Sequence, residues 1–447
     1  MKFNKSSQLL LVSAASLLAA VLITACGTAT TDFVYVSSAK AAGSNNYGEI
    51  DVFEINRVSG YMRPILSSPY PSGGRNPVAE AVSADYANLY VVNQDDNTIV
   101  QFLIGSDGKI YPQNTVNTPG IYPLAVAVSG TSLFVVDTYE PLPACSNASP
   151  CPGSVGVFPL QPATTGANPT PSGAPGPTPL TNTAIGADYW PLILPSNPTH
   201  IITPTAINVL KSGAALFVTA YDASVTPNVG YVFGFLIAPP STTTIPSGGS
   251  CPSIGASTIP PNTLIPGTLC PMNGGVPFAA GVNPSAVASA TETSGTYVYV
   301  TDSTKGDVVS YSFASGVLNK IGVTPTGNQP VAIVVDPAYP YAYVANTTDG
   351  NVEAYSISSN GALTFLGGST TPVTYAAGIQ PVAIGIDPST HHFLFTANFT
   401  PDGVNGTVSG FELSTTAGTL VDSQNSPYLS NALPTAVAAV PHGSSTQ

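Results

Sequence analysis

The chain has 447 residues, with 10 Lys plus Arg against 23 Asp plus Glu and a formal net charge of −13. That balance excludes a nucleic-acid binder, which needs cations to displace phosphate counterions, and a polybasic grip on anionic lipid. With 44 Pro and 42 Gly, and only 7% charged residues, long helices are disfavoured and turn-rich β structure is expected.

Lys2 and Lys5 precede an apolar run over residues 9–23, which ends in Leu22-Ile23-Thr24-Ala25-Cys26. The run is short for a membrane span and no stop-transfer charge cluster follows it. The order of residues resembles a bacterial lipobox. That resemblance implies a signal segment at 1–25, lipidation of Cys26, a linker at 26–30 and a membrane contact made by the lipid anchor only. Gly27, where an inner-membrane lipoprotein carries Asp, implies the outer membrane of the cell envelope. The other cysteines, Cys145, Cys151, Cys251 and Cys270, form two local pairs in Pro- and Ser-rich stretches. Three connectivities are possible, and Cys145–Cys151 with Cys251–Cys270 is favoured because each closes a short loop in an oxidising compartment. No His or carboxylate stands beside either pair at ligand spacing, so no metal site is expected there.

A three-part unit then recurs seven times. Its first part is Pro-x-Ala followed by alternating apolar residues, beginning at Pro77, Pro123, Pro204, Pro284, Pro330, Pro381 and Pro434. The second is an aromatic and β-branched run such as Tyr90-Val-Val-Asn93 or Tyr343-Val-Ala-Asn346. The third places an aromatic three residues after a β-branched residue, as in Ile99/Phe102 and Val352/Tyr355. Two residues before that β-branched position stand Gly48, Asn97, Gly153, Gly230, Gly306, Gly350 and Gly406, which predicts a turn with positive φ. A weaker fourth strand follows.

Four short strands per unit near a 45-residue period predict an all-β, seven-bladed β-propeller over residues 31–441, followed by a polar tail at 442–447. The first unit lacks a Pro-x-Ala strand and the last Pro-x-Ala strand has nothing after it, so the C-terminal strand is expected to complete the N-terminal blade. The Tyr-Val-(Val/Thr/Ala)-(Asn/Asp) runs, with Pro-x-Ala-Ile-x-Val-Asp-Pro at 330–337, resemble the YVTN-type propellers. These overlap with the lactonase-type seven-bladed family that includes 6-phosphogluconolactonases. The resemblance implies the propeller fold and, as one reading, lactone hydrolysis.

Antiparallel order puts the starts of the Pro-x-Ala strands and the ends of the second strands on one face. Candidate ligand-binding groups there are Asn76, Asn283, Gln329 and Gln380 before the inner strands, with Asn93, Asp137, Asp302, Asn346, Asn398 and Asp222 after the second strands. Inner-strand spacing grows from 46 residues (Pro77 to Pro123) to 81 and 80 in the next two units. The extra residues fall at 139–153, 161–203 and 238–283 and are expected on that same face, where a rigid scaffold displays binding loops. The segment Asp188-Tyr189-Trp190 adds the chain's only Trp, with a ligand-stacking platform and a buried anchor as its two readings.

Catalytic signals are sparse. No Gly-x-Ser-x-Gly elbow, phosphate loop or His-x-x-x-His pair occurs. Three positions after the inner-strand proline, six units carry a β-branched apolar residue and the second carries Glu80. Glu80, Arg75 and His200 form the candidate catalytic set for a lactonase, with an Arg75–Glu80 rim ion pair as the plain alternative. His391-His392 is expected in a solvated turn and His442 in the tail. The chain's three arginines, Arg57, Arg63 and Arg75, are few for a phosphosugar site. The leading expectation is an envelope-displayed, monomeric binding scaffold for a small molecule, glycan or envelope protein, and the second is a lactonase-like hydrolase. No cofactor is expected, and a calcium site at Asp95, Asp96 or Asp302 lacks a ligand-dense loop.

Overall fold

The computed structural model describes residues 30–39, 47–162, 172–238, 265–388, 392–400, 405–430 and 432–442. The signal segment, Cys26, Cys251 and His391 lie outside the described residues. Seven antiparallel sheets stand in a ring, and each innermost strand touches the innermost strands of both neighbours all the way round. The molecule is a seven-bladed β-propeller. Blades 2 to 7 begin with inner strands Pro77–Val82, Ile121–Ser129, Ile202–Val209, Pro284–Glu292, Pro330–Val335 and Pro381–Ile386. In blade 1, strand Leu433–Pro441 takes the inner position and pairs antiparallel with Thr30–Ala39. In five blades two short segments share the outermost position.

Pro-x-Ala is a β-bulge. In every blade the pairing skips the residue between Pro and Ala. Proline has no N–H for the ladder, and a bulge absorbs that loss while bending the strand at the ring's rim. The second strands are buried on both faces; Asn88–Asn93 is buried at all six positions. Alternation sends Leu89 and Val91 into the blade 1/2 core and Tyr90 and Val92 into the blade 2/3 core. Seven such apolar clusters fill the seven blade interfaces.

The second-strand tyrosines also tie blades together. Tyr35, Tyr90, Tyr299 and Tyr343 donate to the carbonyls of Gly108, Gly173, Gly361 and Gly418 in the next blade, at 3.0, 2.6, 3.0 and 3.1 Å. Burial raises all four phenol pKa values, so they remain donors. At the same register blades 3, 4 and 7 carry Phe134, Phe217 and Phe395. Other groups bridge two of those interfaces. The Trp190 indole N–H donates to Leu269 O at 3.0 Å, and the Tyr311 hydroxyl donates to Ala279 O.

Two expectations require correction. Of the seven turn residues expected at positive φ, Asn97, Gly306 and Gly350 adopt it (54°, 64° and 63°). Gly48, Gly153, Gly230 and Gly406 do not; a Cβ there would come within 2.1–2.5 Å of the proline that opens the next inner strand. Their requirement is space, set by the bulged proline, and not handedness. The insertions also do not share one face. Third strands run away from the candidate face, and Gln161 pairs with Ala174 and Ile237 with Leu269 at their far ends. The strand ends Gln161 with Ala174 and Ile237 with Leu269 therefore lie on the opposite face, while 139–153 stays on the candidate face.

Replacing Tyr343 with Phe removes one interblade hydrogen bond and leaves the Gly418 carbonyl buried. The expected loss is about 1–3 kcal/mol of unfolding free energy, read from urea denaturation, with the far-UV spectrum unchanged.

Candidate active site

Each second strand ends where the chain crosses from the previous blade to the inner strand. Asn93, Asp137, Asp302, Asn346 and Asn398 occupy these ends and are fully buried. They hold the crossing segment or the adjoining turns. Asp302 accepts the N–H groups of Val282, Asn283, Thr304 and Lys305. Asp137 accepts Gly120 N–H at 2.9 Å, Asn93 bonds Ser72, Asn346 donates to Asn351 and Asn398 to Thr407 and Ser409. Three residues before the inner-strand proline, these five blades carry Gly74, Gly120, Gly281, Gly327 and Gly378. A Cβ on any of them would fall 2.2–2.9 Å from the Asn or Asp side chain. The polar residues expected to display ligand-binding groups are thus spent on a buried latch. The Gly-x-x-Pro spacing was the sequence signal for it.

The residues before the inner strands form the rim. Asn76, Gln329 and Gln380 are left-handed (φ 52°, 57° and 51°). They and Asn283 accept, through their carbonyls, the N–H just after the second strand. Asn76 reaches Gln94 and Asp95, Asn283 reaches Thr304 and Asn228, and Gln329 accepts from Thr348.

Blade 4 breaks the latch. Ile201 replaces the glycine, and Ala220 faces the inner-strand proline. The carboxylate sits two residues further on, at Asp222, paired in register with Ile202. There it meets His200, with Nδ1 2.6 Å from Asp222 Oδ2. The imidazole is 27% exposed and the carboxylate 3%. Asp222 Oδ1 also accepts Ser224 N–H at 2.9 Å, and the Ser224 hydroxyl accepts Ile201 N–H at 2.7 Å. Both carboxylate oxygens are therefore fixed. An imidazole held at Nδ1 by a buried carboxylate keeps Nε2 for proton transfer.

The three residues expected to act together do not meet. Glu80 Oε2 accepts from the Ser37 hydroxyl of blade 1, and its Oε1 is buried without a hydrogen-bond partner. Burial outweighs the neighbouring Ser37 and Ala438 groups and pushes the Glu80 pKa up to about 8. That burial favours the neutral form over the usual carboxylate. Arg75 does not pair with Glu80; its guanidinium binds Asp96 at 2.6 Å and Asp95 O at 3.2 Å. His200 pairs with Asp222 alone of the expected set.

Trp190 is 2% exposed and anchors its segment, as the second reading of that motif expected. Tyr189 bonds Glu140, whose pKa burial raises. Cys145 and Cys151 are joined by a disulfide. Cys270 is disulfide-bonded too. Among the described residues no group of three or more His, Cys, Asp or Glu is arranged to hold a metal ion; Asp96 is held by Arg75 and Asp302 by four amides.

The family described as Lactonase, 7-bladed beta-propeller matches residues 275–367 and 297–431. These stretches span blades 5 to 7, so the His200–Asp222 pair lies outside them. No curated protein matches the chain significantly. Among solved structures, a Bacteroides fragilis protein provisionally named 6-phosphogluconolactonase is 17% identical, covering 93% of this chain and 99% of its own, with a TM-score of 0.60. The periplasmic gluconolactonase of Pseudomonas aeruginosa is 17% identical over 92% and 99%, with a TM-score of 0.57. At that identity the likeness is one of fold. Sequence and fold together place the resemblance with the lactonase-type propellers.

Glu80 and Asp137 give the site face a pH signature. Burial also raises Asp137, to about 7. Both groups bind protons more tightly folded than unfolded, where the ordinary values are 4.5 and 3.8. Their contribution to stability is complete below those values and is lost as pH rises through about 7 and 8. Urea midpoints should fall between about pH 5 and about pH 9, and Glu80→Gln and Asp137→Asn should each flatten the decline.

Proposed function

We propose that the protein is an exported hydrolase of unphosphorylated lactones, with His200 as general base. The observation that carries this reading is the 2.6 Å His200–Asp222 contact, a half-open imidazole oriented by a buried carboxylate. It arises in the one described blade where Ala, rather than Asn, Asp or Ser, faces the inner-strand proline.

In this reading His200 Nε2 takes a proton from water as the water oxygen attacks the lactone carbonyl carbon. The ring C–O bond then breaks, and the imidazolium returns its proton to the departing oxygen. Asp222 holds the imidazole orientation and balances its transient charge. The Tyr231 hydroxyl is the candidate donor to the oxyanion. Burial and the Asp222 charge raise its pKa and keep it protonated.

The lactonase-type fold supports the reaction class, as do the names of the related structures, a gluconolactonase among them. The arginines support an unphosphorylated substrate. All three belong to blade 1; Arg63 is paired with Glu54 and Arg75 with Asp96. The lipobox resemblance supports an envelope location. A non-catalytic binding scaffold has less support, because five of the polar residues on which it rested, Asn93, Asp137, Asp302, Asn346 and Asn398, are buried in latches.

The test is hydrolysis of glucono-δ-lactone, γ-butyrolactone and a phosphorylated gluconolactone. Turnover of the first two should fall by about 10²–10⁴-fold in His200→Gln and in Asp222→Asn. A folded wild type inert on all three would overturn the reading.

A further inference from the structure

An apolar cleft among the described residues takes no part in the proposed chemistry. It lies on the outer side of the ring between blades 3 and 4 and encloses about 210 Å³. Trp190, Pro191, Phe233, Phe235, Met272 and Val276 form most of its wall. No charged side chain lines it. Its one polar side chain, Asn182, is already committed, donating to Tyr189 O and accepting Ala184 N–H, each at 3.2 Å. The volume is below the roughly 300–1,000 Å³ of pockets that hold a whole drug-sized ligand. Such a site fits the apolar part of a ligand whose polar part rests elsewhere.

Two lines of contact lead from the cleft to His200. Tyr231, Phe233 and Phe235 alternate along one side of strand Val229–Ile237. The Tyr231 and Phe233 rings meet edge to face with centroids 6.4 Å apart. Tyr231 in turn feels the Asp222 charge. On the other wall, Ile193 and Pro195 line the cleft. Their segment continues through a turn in which Asn197 N–H bonds Leu194 O and His200 N–H bonds Asn197 O. The same loop walls the cleft and carries the base.

We infer that this cleft seats the aliphatic chain of a small amphiphile. Resting on the hydrolase reading, the substrate is then a lactone bearing an alkyl or acyl chain, its ring at His200 and its chain along Phe233.

Trp190 is the chain's only tryptophan, and it lines the cleft, so its fluorescence reports occupancy without any turnover. Titration of the full chain with 1-decanol should give a saturable change that ethanol does not. Val276→Phe narrows the cleft at a position that is 49% exposed, where folding is not at stake, and should weaken decanol at least tenfold. In parallel, kcat/KM should rise from γ-butyrolactone to γ-decalactone by about three- to fourfold per methylene until the cleft is full. Val276→Phe should abolish that rise. No saturable decanol signal in the wild type, or equal affinity in Val276→Phe, overturns the inference, whatever the lactones do. Decanol binding that Val276→Phe weakens, with no lactone hydrolysed, upholds the cleft and removes the hydrolase reading.

Discussion

In five of the seven blades a single buried side chain at the end of the second strand holds the candidate face together. In two of these blades it satisfies amides of a chain that has just crossed between blades: Asp302 those of Val282 and Asn283, and Asp137 that of Gly120. Amide and carboxylate groups can both serve, but they differ in what they demand. Asp302 collects four N–H donors and stays well served. Asp137 leaves one oxygen buried without a bond, and burial then favours its neutral form. The glycine opposite each latch follows from close approach, because the crossing backbone lies too near that side chain to leave room for a Cβ. Blade 1 meets the demand with serines instead. Ser38 and Ser430 lie 3.2 Å apart, and Ser430 donates to Asp51.

Blade 4 shows what happens when the latch is released. Moving the carboxylate from the strand's buried end to Asp222 takes it from the crossing segment and gives it to an imidazole. The glycine of the crossing is lost with the latch, replaced by Ile201. Its strands, bulge and register match the other six. A chemically capable pair is therefore obtained within a repeat whose other copies are structural.

The architecture was legible because it is repeated. A Pro-x-Ala bulge and an aromatic–β-branched run, seen seven times, leave little freedom in how the strands stack, and apolar alternation assigns each residue to an interface. The site was legible only in part. Glu80 stood out as the odd member of its column, but a departure from pattern does not reveal what lies across the interface. The structure puts Ser37 there and withdraws the carboxyl from water. His200 and Asp222 were both visible as polar residues on the right face. Their pairing depends on the register of two strands, in which Ile202 faces Asp222, and the periodic pattern is weakest in this blade. The face of each long insertion was misread for a related reason: spacing between repeats locates extra residues along the chain but not the strand end from which they leave.

The pairing of Leu433–Pro441 with Thr30–Ala39 has a kinetic meaning. Ser38 and Ser430 are 392 residues apart, and Thr435 bonds both Ser37 and Pro77, 398 and 358 residues away. The strand nearest the axis in blade 1 comes from the far end of the chain. Until it arrives, Thr30–Ala39 presents a bare edge, and Glu80 lacks the wall that Ala438 provides. Contacts of such separation form slowly, since loop closure precedes any gain from packing. A chain made from its N-terminus carries six nearly finished blades and one open edge until its last strand is available. For that interval the exposed edge is a template for pairing with other chains. Speed of delivery of the final strand, more than the strength of any blade, then governs how much of the protein closes into a ring.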